Sequence, residues 1–97
     1  MAFKQLGLIG CGLMGASFAL ALRKHGQVGR VVGYSPSPRT RDRAQQLGVI
    51  DAQAASAQEA AQGSDLVLIA VPVSRTTECL QAIAAHLPAD ALLMDVG

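Results

Sequence analysis

A chain of 97 residues that is 51% hydrophobic, 15% charged and 3% aromatic has room for one small domain and excludes a two-domain enzyme. The apolar content, mostly Ala, Leu and Val, excludes a disordered tail. Three aromatics, Phe3, Phe18 and Tyr34, are too few to stack single-stranded nucleic acid, which is therefore not an expected partner. The net charge of +1 hides an asymmetry: residues 1–41 carry Lys4, Arg23, Lys24, Arg30, Arg39 and Arg41 and no carboxylate, a balance of +6, whereas from Asp42 onward the balance is −5.

Extended and helical patterns alternate along the chain with turn residues between them, the signature of βαβ units in a parallel sheet. Residues 3–9, FKQLGLI, read as a buried strand, Gly10–Gly12 as a turn, and residues 13–25 as a helix whose Leu13, Ala16, Ala19, Leu20 and Ala21 suit close packing on a sheet. Arg30–Tyr34 is a second strand. Ser35-Pro36-Ser37-Pro38 opens a loop, Pro38 starts a helix running to about Leu47, and Gly48 ends it. Val49–Ala52 is expected as a short third strand. Ser56 followed three residues later by Glu59 is a capping box for a short helix that stops at Gly63. Asp65–Val71, the most continuous apolar run, reads as a central strand covered on both faces and ended by Pro72. Residues 74–86 read as an amphipathic helix with Cys79, Leu80, Ile83 and Leu87 on its buried stripe, and Ala91–Val96 as the last strand.

The fold expected from this order is α/β, a Rossmann-type doubly wound parallel sheet in a single small domain spanning residues 1–97. Because the chain stops at Gly97 just after a strand, it is expected to be a piece of a longer polypeptide, with part of the active site outside it.

Cys11 and Cys79 form neither a CxxC pair nor a metal-ligand spacing and read as free thiols in a reducing compartment. His25 and His86 sit near helix C-termini, where they are expected to interact with the last carbonyls, and no metal site is expected. Lys4 and the apolar stretch after it superficially suggest a signal peptide, but the run before Cys11 is too short and the longer stretch is broken by glycines. A soluble, cytoplasmic protein with no membrane partner is the expectation.

Gly10-Cys11-Gly12-Leu13-Met14-Gly15 fits GxGxxG, with a strand before it and a helix after it as the mechanism requires. Gly10 allows the tight turn, Gly12 lets a pyrophosphate approach the backbone, and Gly15 lets the helix pack closely on the sheet. The pyrophosphate would lie at the helix N-terminus, on its free N–H groups. At the end of the second strand, where a carboxylate would hold the ribose hydroxyls of NAD, this chain has Ser35. A serine hydroxyl can donate to a 2′-phosphate that a carboxylate would repel, and Arg39, Thr40 and Arg41 can surround it, so NADP is favoured while NAD stays possible; the alternative is that Arg39, Arg41 and Arg43 only decorate a solvated helix, with Asp42 beside them. Cys11, at a helix N-terminus with no base near it in sequence, reads as a small residue filling the loop rather than as a reactive thiolate. The Val71-Pro72-Val73 corner is expected on the ligand side of the sheet, either covering the cofactor or simply stopping the strand.

The order LGLIGCGLMGASFALAL, VVGYSPSP, AQQLGVIDA, DLVLIAVPV and LLMDVG resembles the nucleotide-binding domain of the prephenate dehydrogenase family, which includes arogenate and cyclohexadienyl dehydrogenases. The likeness covers essentially the whole chain, and the LGVID and closing DVG pieces are more specific than the glycine loop. Hydroxyisobutyrate-type dehydrogenases and pyrroline carboxylate reductases share the loop and the proline-ended strand but match the middle less well. The resemblance implies an enzyme that oxidatively decarboxylates prephenate or arogenate on the route to tyrosine, passing a hydride to NAD(P). It implies cofactor contacts at Gly10, Gly12, Leu13, Met14, Gly15, Ser35, Arg39, Thr40, Val71, Pro72 and Thr76. The catalytic histidine, the substrate arginines and the helical dimerisation domain of such an enzyme fall outside these 97 residues, so the piece is expected to bind cofactor without turning over substrate, and the full enzyme to be a homodimer. The alternatives are a stand-alone dinucleotide-binding or sensing module and a domain of another oxidoreductase, such as a hydroxyisobutyrate-type dehydrogenase.

Overall fold

Five strands pair in parallel in the order β3-β2-β1-β4-β5, with β1 at Phe3–Ile9, β2 at Val28–Tyr34, β3 at Ala52–Gln53, β4 at Leu66–Ile69 and β5 at Leu92–Asp95. The structure is a computed structural model; it describes residues 3–71, 77–78, 80–81, 83 and 91–95, with Leu13 and Asp95 described by their backbone alone. Between the strands run helices α1 at Leu13–Lys24, α2 at Pro38–Gln46 and α3 at Ala57–Ala61. Of the helix expected over 74–86, Thr77, Glu78, Leu80, Gln81 and Ile83 are described and helical; Cys79, His86 and Leu87 lie outside the described residues.

Strand periodicity distributes the core over two faces. Leu6 and Leu8 of β1 and Leu66 and Leu68 of β4 point to the face covered by Ala19 of α1 and Ala44 of α2. Ile9, Val67 and Ile69 point to the other, against Ala60 and Ala61 of α3 and Ile83. Helices on both faces make the sheet doubly wound, and β4 is buried along its whole length, as its continuous apolar run requires. Each such leucine or isoleucine stabilises by about 1.5–3 kcal/mol relative to an exposed one.

Two helices end as the glycines foretell. Gly26 (φ 67°) and Gly48 (φ 78°) take the left-handed conformation after α1 and α2. In each case the next residue's N–H reaches back to the third-last carbonyl of the helix: Gln27 to Leu22 at 2.9 Å and Val49 to Ala44 at 2.9 Å, the Schellman arrangement. This explains one correction. Val49 and Ile50 are not strand residues: they form the turn after Gly48, and β3 is only Ala52–Gln53. Their apolar side chains, which suggested a strand, are buried beneath the sheet to seal the end of α2. A second correction concerns α1, where Leu20 and Ala21 face outward and Gly15 and Ala19, one turn apart, face the sheet. A third concerns His25, whose backbone N–H bonds the Ala21 carbonyl at 3.1 Å; among the hydrogen bonds of the described residues its imidazole makes none. The serine half of the expected capping box is present, with the Glu59 N–H donating to Ser56 Oγ at 3.1 Å; among the hydrogen bonds of the described residues the Glu59 carboxylate makes no return bond to the Ser56 N–H.

Across the bottom of the sheet, Asp51 joins α1 to β2: its carboxylate accepts from both terminal nitrogens of Arg23, at 2.7 and 3.2 Å, and from the Val31 N–H at 2.8 Å. Among the described residues no helix is long and apolar enough to cross a membrane, and no cluster of three or more His, Cys, Asp or Glu is placed to hold a metal.

Candidate functional site

At the carboxyl edge of the sheet three segments converge. Gly10 follows β1 and sits between its neighbours: its N–H donates to the Tyr34 carbonyl of β2 at 2.8 Å, and the Ala70 N–H beyond β4 donates to the Ile9 carbonyl at 2.8 Å. The sharp turn here requires φ of +97° at Gly10, and a Cβ on that residue would lie 2.4 Å from the Ala70 carbonyl oxygen. Only glycine satisfies both the dihedral angle and the approach.

The other two glycines divide their work differently. A Cβ at Gly15 would lie 2.4 Å from the Gly10 carbonyl oxygen and 3.2 Å from a methyl of Leu8, so this position lets α1 lie against the loop and the sheet. At Gly12, the N-cap of α1, a Cβ would meet nothing within 4 Å. No neighbour demands a glycine there; what its absent side chain keeps open is space beside the free N–H groups of the first turn of α1. No side chain caps that turn and no acid lies in it.

This space belongs to a cleft of about 460 Å³. The loop after β1 contributes Gly10, Cys11 and Gly12, the turn after β2 contributes Ser35 and Pro36, the first turn of α2 contributes Thr40, and the segment after β4 contributes Ala70 and Val71. A second cleft, of about 360 Å³, shares Cys11, Gly12 and Thr40 with the first and extends between α1 and α2, where Arg39 and Arg43 line it. Residues about 60 apart in sequence thus face one another because β4 lies beside β1. A depression of about 370 Å³ at the opposite end of α1, lined by Phe18, Leu22 and His25, is remote from all of them.

Of the residues expected to meet a cofactor, Gly10, Gly12, Ser35, Thr40 and Val71 line the first cleft and Arg39 the second. Gly15 lines neither cleft and shapes the loop from behind. Leu13 opens α1, and Met14 is 66% exposed beside the loop. Pro72 and Thr76 lie outside the described residues. Ala70 and Pro36 were not singled out in the sequence; each borders a motif residue, and only the fold shows that it lines the cleft.

Ser35 is buried, and its hydroxyl accepts the Ser37 N–H at 3.4 Å. Ser37 caps α2 through Thr40 N–H, and Pro38 occupies its first turn, so the turn carrying Ser35 is held by local hydrogen bonds. Cys11 is buried, with its thiol 3.6 Å from the Tyr34 carbonyl. Burial pushes its pKa up to about 11, against a smaller lowering by Arg41, so the thiol stays protonated at neutral pH and serves as a packing group. Among the described residues, the single ion pair is Arg23–Asp51; Arg39 and Arg43, exposed at the cleft, form none, although Asp42 lies beside them on α2.

Comparison with known proteins agrees with this geometry. The family described as "Prephenate dehydrogenase, nucleotide-binding domain" matches residues 18–97. The glycine loop lies just before that match and within the wider alignments with individual relatives. The cyclohexadienyl dehydrogenase of Zymomonas mobilis is 36% identical over 95 residues, covering 98% of this chain and 32% of that protein. The pyrroline-5-carboxylate reductase of Escherichia coli is 35% identical over 97 residues, covering 97% of this chain and 35% of that protein. Among solved structures, prephenate dehydrogenase from Aquifex aeolicus in complex with hydroxyphenyl propionate and NAD+ superposes with a TM-score of 0.88 at 30% identity, covering 98% of this chain and 34% of that one. The chain therefore spans about a third of the length of these relatives. Since the family match takes in 80 consecutive residues, from α1 through β5, and the fold agrees over nearly the whole chain, the protein belongs to the prephenate dehydrogenase family through its nucleotide-binding domain.

Proposed function

We propose that this chain is the cofactor-binding part of a dehydrogenase that oxidatively decarboxylates prephenate or arogenate, and that it binds NADP in preference to NAD along the cleft at the carboxyl edge of the sheet. The observation that carries the reading is the open space beyond Gly12 at the uncapped start of α1, with Ser35 and Arg39 on one side and Val71 on the other. The residues present fit a dinucleotide. The free N–H groups of α1 would hold the pyrophosphate, the Ser35 hydroxyl and Arg39 with Thr40 the 2′-phosphate, and Val71 would pack on the cofactor, with Leu13, Met14, Pro72 and Thr76 completing its surroundings. The nicotinamide, when bound, supplies the hydride acceptor. This chain orients the cofactor; the proton-accepting histidine, the substrate arginines and the dimer contacts are assigned to the remaining two thirds of a protein of the relatives' length. A cytoplasmic location fits a biosynthetic enzyme of this kind.

Parallel calorimetric titrations of the chain with NADP⁺ and NAD⁺ test the reading. Each charge-assisted hydrogen bond to a phosphate is worth about 1.5–3 kcal/mol, so NADP⁺ is expected to bind about ten- to a hundredfold tighter. Ser35→Asp and Arg39→Ala should each remove that preference. Equal or tighter binding of NAD⁺ would overturn the role of Ser35, and binding of neither would overturn the cofactor reading. The 35% identity to a pyrroline-5-carboxylate reductase supports a second reading, the same dinucleotide site serving an imine or hydroxyacid oxidoreductase. Assays of the full-length protein with prephenate, arogenate and pyrroline-5-carboxylate separate the two.

A further inference from the structure

Three arginines lie at alternate positions on α2, at 39, 41 and 43. At 100° per residue, Arg39 and Arg43 share a face and Arg41 points away from it. The structure bears this out: Arg39 and Arg43 are exposed and line the cleft between α1 and α2, whereas Arg41 is half-buried and turned inward. One terminal nitrogen of Arg41 donates to the Ser35 carbonyl at 3.1 Å, and the guanidinium carbon lies 6.0 Å from the centre of the Tyr34 ring, at the outer limit of a cation–π contact. Its Nε is buried with no hydrogen-bond partner among the described residues. A guanidinium free to choose would turn that N–H to water; here the carbonyl and the ring hold it.

The two residues that Arg41 touches are the hinge of the site. Ser35 lines the cleft, and the carbonyl of Tyr34 accepts both the Gly10 N–H at 2.8 Å and the Cys11 thiol at 3.6 Å. A single planar cation therefore grips the turn after β2 at the point where it is tied to the glycine loop after β1.

We infer that Arg41 is a positioning residue of the dinucleotide site, holding the Ser35 turn against the glycine loop, and that it does not itself bind the 2′-phosphate, a task left to the outward-facing Arg39. The inference rests on the dinucleotide reading above. Since the loop receives the pyrophosphate common to both dinucleotides, loosening it weakens NADP⁺ and NAD⁺ alike, whereas removing a 2′-phosphate ligand weakens NADP⁺ alone.

The chain has one tyrosine and no tryptophan, so its intrinsic emission reports Tyr34 alone. Arg41→Gln, Arg41→Lys and Arg39→Gln should be compared for Tyr34 emission without ligand and for titrations with NADP⁺ and NAD⁺. Both Arg41 variants are expected to change Tyr34 emission and to weaken both dinucleotides about tenfold, with their ratio kept within about twofold. Lysine should not rescue, because a point charge on a flexible stem cannot lie over the ring and donate to the carbonyl in one fixed plane; its retained stem and charge keep it as the variant that folds if Arg41→Gln does not. Arg39→Gln should leave the emission unchanged and weaken NADP⁺ alone. Selective loss of NADP⁺ in the Arg41 variants would make Arg41 a phosphate ligand, and unchanged emission and affinity would make it a bystander; either result overturns the inference. Failure of the unsubstituted chain to bind either dinucleotide would instead refute the dinucleotide reading, and Arg41's role would fall with it.

Discussion

Replacing Gly10, Gly12 and Gly15 by alanine one at a time separates what the glycine loop does for folding from what it does for binding. At Gly10 the added methyl meets two costs. The backbone is at φ +97°, where an L-residue pays about 1–2 kcal/mol, and the Cβ would lie 2.4 Å from the Ala70 carbonyl oxygen, an overpacking against backbone worth about 1–3 kcal/mol. The expected loss is about 2–5 kcal/mol, a large part of the stability of a domain this size, and a fall in Tm of about 10 °C or more. At Gly15 alanine gains about 1 kcal/mol of helix propensity but meets the Gly10 carbonyl at 2.4 Å, so a net loss remains, smaller than at Gly10. Gly12 is the informative position. Its φ of −72° and ψ of −173° suit any residue and its Cβ direction is empty, so the loss of a glycine N-cap and the gain from a stiffer unfolded chain nearly offset, within about 1 kcal/mol. Dinucleotide affinity should nevertheless fall about tenfold or more, because the methyl occupies the space beside the first turn of α1. Urea denaturation followed by circular dichroism gives the stabilities, and calorimetric titration gives the affinities. A Gly12→Ala protein that is as destabilised as Gly10→Ala, or one that binds dinucleotide as tightly as the unsubstituted chain, would refute the reasoning.

The Arg23–Asp51 pair carries a pH signature. The Arg23 hydrogen bonds hold the Asp51 carboxyl below its ordinary value of 3.8. A folded-state pKa below the unfolded one means that the contribution is complete above the unfolded value and is lost as pH falls through the folded one. Both side chains are about a third exposed or more (32% and 40%), so Asp51→Asn should cost about 1 kcal/mol or less at pH 7, with the gap narrowing as pH falls below the ordinary carboxylate value and in high salt. Urea midpoints across an acid titration check this, and a gap that changes with neither pH nor salt would show that the charge is irrelevant. For Cys11, a thiol with a pKa of about 11 is thiolate in roughly one molecule in a thousand at pH 8 and is buried besides. Alkylation mapped by peptide mass should leave Cys11 unmodified in the native chain and modify it readily in concentrated urea; equal rates in both would contradict its packing role.

Much of the molecule is written in local preferences. The capping serines at 37 and 56, Pro38 and the glycines at 26, 48 and 63 act through dihedral angles and hydrogen bonds within a few residues, so helix ends can be read along the chain. The GxGxxG loop and the serine after β2 are legible for the same reason, since their meaning depends on the strand and helix immediately beside them. Val49 and Ile50 show where such reading stops: two apolar β-branched residues look alike in a strand and in a turn that plugs the core, and only packing beneath Gly33 distinguishes them. The outward turn of Leu20 was equally hidden, because an apolar residue on an apolar helix does not announce which face meets the sheet. Composition and local pattern thus set the element types, their ends and the glycine loop. The assembly of the site came from non-local pairing: β4 beside β1 brings Ala70 against Gly10, and the rotation of α2 over β2 sends Arg41 to Tyr34 and Ser35 while Arg39 faces the cleft. Parallel strands meet only through crossovers whose register is selected by burying both faces of the sheet at once, a condition that no short stretch of the chain contains.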